Sequence, residues 1–323
     1  TGVQTCALPI FSAYCFGDSE KELDQYAWYK NNSGYTTHPV GQKFPNKWGL
    51  FDVHGNVWEW CLDWYEDFKK ASVIDPVGPS KGTSRVVRGG SWSNPARNLR
   101  SACRLWYVPG SRHDYLGFRL LSSAQDAEPR EGATPPGAEP GVERARIGSA
   151  DFEYGFLRSI DLDAVGETTP EDQFSEIEVN DYTSIRVVSD QEGYQFDRLE
   201  KPEWAVDFGH DSHGLYSVFE VEPEKKGTPV RQRLRWIPPG RFIMGSPEGN
   251  ANAFDSEKPQ HEVVITHGYW MFDTPCTQGL WNALMGKNPS YFPDPDRPVE
   301  QVSWEDAVGF AEKLNQWFAG RNT

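Results

Sequence analysis

The sequence lacks an apolar run long enough to cross a bilayer and an apolar N-terminal segment typical of a secretory signal. It also lacks an excess of basic residues, because 47 Asp and Glu against 32 Lys and Arg give a formal net charge of -15. Nucleic acids and anionic membranes attract clustered Lys and Arg, so neither is expected as a partner. We expect a soluble, cytoplasmic protein, with export left open because the N-terminus reads as incomplete.

Cysteine is scarce and unpatterned. There is no CxxC spacing among the five cysteines, which are Cys6, Cys15, Cys61, Cys103 and Cys276. Neither a zinc site nor a disulfide framework is therefore assigned. The sequence also has no Gly-rich phosphate loop, no GxSxG elbow and no recognisable nucleophile and base pair, so no catalytic residue is predicted.

Aromatic residues and turn formers are abundant, with 13 Trp, 13 Tyr, 18 Phe, 30 Gly and 24 Pro among 323 residues. Between residues 12 and 121, short apolar runs alternate with Gly, Pro, Asn and Asp, which predicts short strands and ordered loops. We therefore expect a loop-rich fold with little regular secondary structure and an aromatic core.

Composition divides the rest of the chain. Residues 122–150 hold almost no large apolar side chain and are predicted to be a disordered linker. Residues 151–201 carry 14 Asp or Glu against 4 Lys or Arg, and are predicted to be acidic and partly ordered. Residues 1–10, TGVQTCALPI, look like a translated sequencing adapter and are left out of the fold prediction.

Two helices are predicted near the end of the chain. Thr277 is suited to cap a short helix that continues to Leu284. Ser303 and Asp306 have the spacing of a capping box. The apolar residues that follow share one helical face and are assigned to the core; they are Ala307, Phe310, Ala311, Leu314 and Phe318.

Two groups of motifs resemble opposite halves of one family, the formylglycine-generating enzymes or sulfatase-modifying factors. Motifs of the C-terminal half are GLFDVHGNVWEW (49–60), RVVRGGSW (85–92) and LGFRL (116–120). Motifs of the N-terminal half are WIPPGRFIMGS (236–246), EKPQHEVVIT (257–266), DTPCTQGLW (273–281) and RPVEQVSWEDA (297–307). The half that usually ends the domain therefore comes first in this chain.

The resemblance implies an α+β, loop-rich, C-type-lectin-like fold, present as two partial domains. Residues 11–121 would be the C-terminal half of one domain. Residues 202–323 would be a strand-rich lead-in and the N-terminal half of a second. Because the halves are complementary, they are expected to pack on each other within one chain or between two, which would allow self-association and leave aromatic surface exposed.

The densest group of candidate metal ligands lies in DVHGNVWEW (52–60). Carboxylates and an amide beside a glycine-bearing turn suit the oxygen coordination of calcium. In the resembled family this segment holds a structural Ca²⁺, whose ligands here would be the side chains of Asp52 and Glu59 and the carbonyls of Gly55 and Val57. The alternative is that Asp52 and Asn56 hydrogen-bond to turn backbone groups.

Formylglycine-generating enzymes place two cysteines shortly after the GGS-aromatic element, where they bind copper(I). The corresponding interval, Ser93 to Leu99, contains neither, and Cys103 lies beyond it. The resemblance therefore implies a non-oxidase, calcium-stabilised binding or scaffold module without copper. The alternative is an oxidoreductase of the formylglycine-generating or ergothioneine-synthase-like type, whose metal site lies in parts of the gene absent from this sequence.

Two loops rich in Trp, Tyr, Arg and Asn, at 93–98 and 105–115, are predicted to form the ligand-binding surface for an unknown protein or small molecule. The candidate residues are Trp92, Asn94, Arg97, Asn98, Trp106, Tyr107, Arg112 and His113.

Four arginines admit two interpretations: Arg88, Arg100, Arg104 and Arg119. They could form a cationic floor for an anionic ligand. Alternatively, they could stack on tryptophan rings and pair with loop carbonyls or carboxylates. The second interpretation is preferred for the last three.

Overall fold

A computed structural model describes residues 12–123, 201, 204–223 and 227–320, together with the backbone of five short strands between 144 and 196. The strands of the first part are β1 Trp58–Trp64, β2 Val73–Ile74, β3 Arg85–Arg88, β4 Arg104–Tyr107, β5 Leu116–Gly117 and β6 Leu121–Ser123. The strands known from backbone alone are β7 Arg144–Ile147, β8 Ala150–Glu153, β9 Leu157–Ile160, β10 Ile185–Val188 and β11 Gly193–Phe196. The strands of the last part are β12 Asp207–Asp211, β13 Gly214–Val221, β14 Val230–Ile237, β15 Gly240–Met244, β16 His261–Ile265 and β17 Tyr269–Phe272.

The helices are few and short, as the composition predicts. They are α1 Leu23–Tyr26, α2 Gln278–Met285 and α3 Trp304–Ala319, with 3-10 turns at Glu20–Glu22, Ala96–Leu99 and Asp255–Glu257. No helix in the described residues is long and apolar enough to cross a bilayer. The described residues thus form mostly strands and loops with few helices, which is consistent with the α+β architecture expected from the sequence.

Both predicted helices form, and their caps have the predicted chemistry. The Thr277 hydroxyl accepts from the Leu280 amide at 3.2 Å, and α2 stops at Gly286, whose φ of 76° lies in the left-handed region. At α3, Ser303 and Asp306 form both hydrogen bonds of the capping box. The short helix α1 was not predicted, because four residues carry too little periodicity.

Two sheets join the first part of the chain to the last. A five-stranded sheet has the order β12-β13-β14-β17-β6, with Leu121 of β6 opposite Met271 of β17. A three-stranded sheet has the order β15-β16-β2. In it β2 runs parallel to β16, and Val73 lies opposite Val263. A four-stranded sheet, β4-β3-β1-β5, belongs to the first part alone.

The two family-like segments share one hydrophobic core. The rings of Phe118 and Phe310 meet edge to face with their centroids 5.4 Å apart. The Trp60 indole donates to the Val302 carbonyl at 3.0 Å, so this buried N–H is satisfied across the segments. The two segments thus pack on each other within one chain, one of the arrangements the sequence analysis anticipates.

Some aromatic surface remains exposed, as that analysis also expects. Tyr35 is 71%, Phe44 59%, Trp106 44% and Tyr291 67% exposed. Most of the predicted linker (122–150) and acidic region (151–201) lies outside the described residues. Within these ranges the described backbone forms a β7-β8 hairpin and a β10-β11-β9 sheet.

Candidate functional site

The DVHGNVWEW loop has an unusual backbone held by its neighbours. Asp52 and Asn56 have φ values of 53° and 58°. Gly55 has a φ of 78°, and a Cβ there would lie 2.2 Å from the Trp28 carbonyl oxygen. Only glycine permits this approach, so the loop turns tightly and aims its polar groups inward. His54, fully buried, fixes the loop through contacts with the Leu99 carbonyl (2.6 Å) and the Cys15 amide (3.0 Å).

Asp52 is a buried carboxyl group whose hydrogen-bond partners are neutral. One oxygen accepts from the Gly41 amide at 2.8 Å and the other from the Asn56 side chain at 3.3 Å. Burial, the largest effect, raises the pKa of Asp52 to about 6, and the nearby Glu59 adds to this rise. A carboxylate in this position would gain from a cation.

Glu59, at the start of β1, is held by Arg119 from the LGFRL motif. Both Glu59 oxygens accept from the guanidinium at 2.7 Å, and the two side chains are 4% and 1% exposed. Burial raises the pKa of Glu59, and Arg119 opposes that rise. The same guanidinium donates to the Phe51 carbonyl at 2.8 Å, which ties the loop to β1.

The expected calcium ligands are all buried, three of them in this loop and Glu59 on β1 directly after it. Carboxylates and backbone carbonyls are the hard oxygen donors that Ca²⁺ takes, so the residue types fit the expected ion. Such an ion would share Glu59 with Arg119. Among the residues that the structure describes, no group of three or more His, Cys, Asp or Glu is placed to hold a metal, but the expected set contains only two carboxylates.

The first predicted recognition loop is well anchored. The Trp92 indole donates to the Asp114 carbonyl at 3.0 Å, and its ring meets Phe292 at 5.7 Å. The Asn94 side-chain oxygen accepts from the amide and hydroxyl of Ser91 at 3.0 and 2.7 Å. Trp92 is only 9% exposed, so its ring is mostly a support for the loop.

The second predicted recognition loop carries a small group of aromatic side chains. The His113 ring stacks on Tyr115 with centroids 4.8 Å apart and lies 5.2 Å from Tyr107. Arg112 is tied to Asp306 of α3 by a hydrogen bond of 2.9 Å. Trp106, on β4, lies against Tyr65 instead, with centroids 4.2 Å apart.

The structure thus brings some predicted surface residues together and separates others. Trp92 meets the second loop through Asp114, whereas Arg97 points to Phe254 at 5.1 Å and Asn98 is 8% exposed on a 3-10 turn. Sequence reasoning missed the residues of the last segment that contact Trp92 and Arg112, which are Phe292 and Asp306. They lie more than 150 positions away, and no local spacing signals such contacts.

Glu300 is a further buried group beside this surface. One of its oxygens accepts from the Phe292 amide at 2.8 Å, and the other is buried without a hydrogen-bond partner. Burial raises the pKa of Glu300 to about 7, and the neighbouring Asp114 contributes to the rise. Its carboxyl group therefore holds the 291–292 turn while partly protonated near neutral pH.

The cysteines of the described residues are free thiols: Cys15, Cys61, Cys103 and Cys276. Burial raises the pKa of the first three to about 12 and that of Cys276 well above its usual value. Since the thiolate is the reactive form, these thiols are weak nucleophiles at neutral pH. Cys6 lies outside the described residues.

Comparison with known proteins defines the class. The profile of the family described as "Sulfatase-modifying factor enzyme 1-like domain" matches residues 14–124 and 219–318. The chain belongs to this family, as its motifs indicated. The two matched ranges correspond to the two segments that share the core.

Curated relatives match over shorter stretches. The chain is 44% identical over 98 residues to a formylglycine-generating enzyme of Thermomonospora curvata, and the match covers 28% of this chain and 32% of that one. It is 46% identical over 83 residues to the serine/threonine-protein kinase pkn1 of Chlamydia pneumoniae, and the match covers 24% of this chain and 13% of the kinase. An inactive C-alpha-formylglycine-generating enzyme 2 of Mus musculus is 39% identical over 84 residues, covering 24% and 23%. The chain thus spans about a third or less of these relatives.

Among solved structures, Treponema denticola variable protein 1 is 46% identical to the chain, with a TM-score of 0.31 and coverage of 31% of this chain and 37% of that one.

Proposed function

We propose that this chain is a non-oxidase member of the sulfatase-modifying-factor family, a calcium-stabilised binding or scaffold module with a C-type-lectin-like fold. The observation that carries the proposal is the interval Ser93 to Leu99, which holds no thiol where the formylglycine-generating enzymes place a copper-binding pair. Cys103, the nearest cysteine that follows, is fully buried and protonated at neutral pH. One inert thiol cannot replace a two-cysteine copper site.

Two features support a binding role. The segment 105–115 presents the exposed Trp106 and Arg112 and the half-buried Tyr107 on a strand-and-loop frame, which is how binding surfaces are commonly built. The family also includes a mouse relative named inactive, so the fold occurs without the enzyme's activity. The ligand class is a protein or a small molecule.

The oxidase question is tested by activity and metal content. The purified chain, supplied with copper(I), oxygen and a cysteine-containing peptide, should give no formylglycine by mass spectrometry and retain no stoichiometric copper. A formylglycine-generating enzyme serves as positive control. Conversion of the peptide would instead establish the oxidoreductase alternative.

The calcium site is tested by thermal unfolding with EDTA or with excess Ca²⁺. A single site at about one hundred times its Kd should add about 2.7 kcal/mol to the free energy of unfolding. Asp52→Asn should remove most of this gain, because an uncharged amide oxygen replaces the negatively charged carboxylate as a ligand. The exposed Asp296→Asn is the matched control and should keep the full gain. An unchanged wild-type midpoint in Ca²⁺ would refute the calcium part of the proposal and leave the non-oxidase part intact.

A further inference from the structure

A cleft of about 450 Å³ lies between residues 63–79 and the strands β15 and β16. Its volume falls in the usual range for small-molecule sites. Its walls are largely apolar, formed by Trp64, Phe68, Val73, Ile74, Val77 and Met244. Arg104 and His261 also line it, so both family-like segments contribute. None of the eight predicted recognition residues lines this cleft.

Most buried arginines of the described residues have clear partners. Three pair with a carboxylate at 2.6–2.8 Å: Arg100 with Glu257, Arg119 with Glu59 and Arg235 with Asp211. A fourth, Arg85, lies between the indoles of Trp64 and Trp304, at 3.5 and 3.7 Å. Buried guanidinium groups in this fold are thus generally compensated.

Arg88 and Arg104 are the exceptions. They face each other across β3 and β4, they are 4% and 3% exposed, and neither is paired with a carboxylate of the described residues. The Nε atom of each is buried without a hydrogen-bond partner, as are those of Arg85 and Arg235, so it is the missing ion pair or indole sandwich that sets these two apart. Two like charges opposite each other in a sheet repel, and burying them without an anion is costly.

Their existing contacts neutralise neither charge. Arg88 donates to main-chain oxygens at 3.1 and 3.2 Å and lies 3.6 Å from the Met244 sulfur. Arg104 donates to the Glu66 carbonyl at 3.0 Å and packs over Phe68 at 4.0 Å. Burial, and secondarily Arg88, lower the pKa of Arg104 to about 10. Met244 and Phe68 also line the cleft, so the cleft reaches this charge.

Four carboxylates line the cleft, Asp63, Glu66, Asp67 and Asp75, and the last three have partners other than Arg104. Glu66 pairs with Lys69 at 3.3 Å, and Asp67 accepts from the Tyr65 hydroxyl at 3.1 Å. Asp75 accepts from the Thr266 amide at 2.8 Å. None of these three carboxylates pairs with Arg104, and the attraction of Asp63 for its charge is outweighed by burial. The negative rim also disfavours a ligand that carries several negative charges.

We propose that this cleft binds a small monocarboxylate with an apolar body. The carboxylate lies against Arg104, and the apolar body lies along Phe68, Val73 and Met244. Apolar walls with one buried cation match this chemistry. The site is separate from the recognition loops and does not depend on the proposed function.

The chain's three methionines give a direct test, because they allow observation of the cleft by methyl NMR. The full chain is labelled at the methionine methyl groups, and the Met244 signal is assigned as the one that disappears in Met244→Leu. Addition of phenylacetate should shift this signal. Met285, on α2, should not move and is the internal control. Phenylacetamide, which has the same shape without charge, should bind at least about tenfold more weakly. Phenethylammonium should not shift Met244.

A surface variant provides a second test that does not endanger folding. Val77 is 64% exposed on the cleft wall and Val108 is 57% exposed elsewhere. Val77→Asp should weaken phenylacetate binding at least about fivefold by charge repulsion, whereas Val108→Asp should leave it unchanged. The proposal is overturned if Met244 does not respond to phenylacetate up to about 10 mM, if the amide or the ammonium compound binds equally well, or if the two valine variants behave alike.

Discussion

At the scale of single residues, several polar groups are buried where their charge is poorly tolerated, and Glu300 is the clearest case. Its folded pKa of about 7 lies above the ordinary value of 4.5. The folded state therefore binds more protons than the unfolded state between these values, and the free energy of unfolding should fall as pH rises from about 4.5 to 7.

Glu300→Gln should remove this pH dependence. Glutamine keeps an oxygen for the Phe292 amide and cannot ionise. We expect the variant to be more stable than wild type at pH 8 by on the order of 1–3 kcal/mol, with little difference at pH 4.5. Urea unfolding at both pH values measures this. A variant less stable at pH 8 would mean that Glu300 is needed as a carboxylate.

At the scale of structural elements, the contacts between the segments decide stability. Gly117 of β5 belongs to the LGFRL motif, and a Cβ there would lie 2.4 Å from the Val299 carbonyl oxygen. The motif thus needs glycine because a backbone of the last segment passes directly over it.

Gly117→Ala should destabilise the protein by about 1–3 kcal/mol, because two backbones would have to move apart. Gly110→Ala is the matched control, since a Cβ at Gly110 meets nothing within 4 Å. Thermal and urea unfolding should show a change for the first variant only. Equal stabilities would contradict the close approach of β5 to residue 299.

The Arg100–Glu257 pair connects the 3-10 turn at 96–99 to the segment before β16. It is bidentate, with side chains 5% and 0% exposed, and the Ser246 hydroxyl donates to the same carboxylate. Glu257→Gln should cost about 3–5 kcal/mol, because it leaves a buried guanidinium without its counter-ion.

A double-mutant cycle with Arg100→Met should show coupling of at least about 1 kcal/mol, so that the double variant loses less than the sum of the single variants. The exposed Arg231–Glu220 pair is the control and should show much weaker coupling. Strict additivity at Arg100 and Glu257 would contradict the buried pair.

At the scale of the whole molecule, the sequence predicts those features that depend on residues close together in the chain. Caps at Thr277 and Ser303, the apolar face of α3 and the turn in DVHGNVWEW each depend on neighbouring residues, and each was predictable. The family motifs extend this to the overall architecture, because they specify long stretches at once. The expected calcium ligands lie close together in the sequence, between residues 52 and 59, and both they and the ion stay a prediction.

Contacts between the segments could not be predicted in detail. Nothing in the local sequence indicates that Trp92 meets Phe292, that Arg112 pairs with Asp306, or that Arg100 finds Glu257. Such contacts depend on the packing of one segment on the other. The same limit applies to the arginines. Arg100 and Arg119 pair with carboxylates, and Arg104 donates to the Glu66 loop carbonyl, as the preferred interpretation expects. The identity of these partners, and the cleft beside Arg104, depend on the assembled fold.

The central claim is that the two family-like segments form one cooperative unit within a single chain. The direct test is to insert a protease site between residues 124 and 143, cleave the folded protein, and follow both pieces by size-exclusion chromatography and unfolding. The two pieces should elute together at the size of one chain and unfold in a single transition. Separate elution or two independent transitions would contradict the claim.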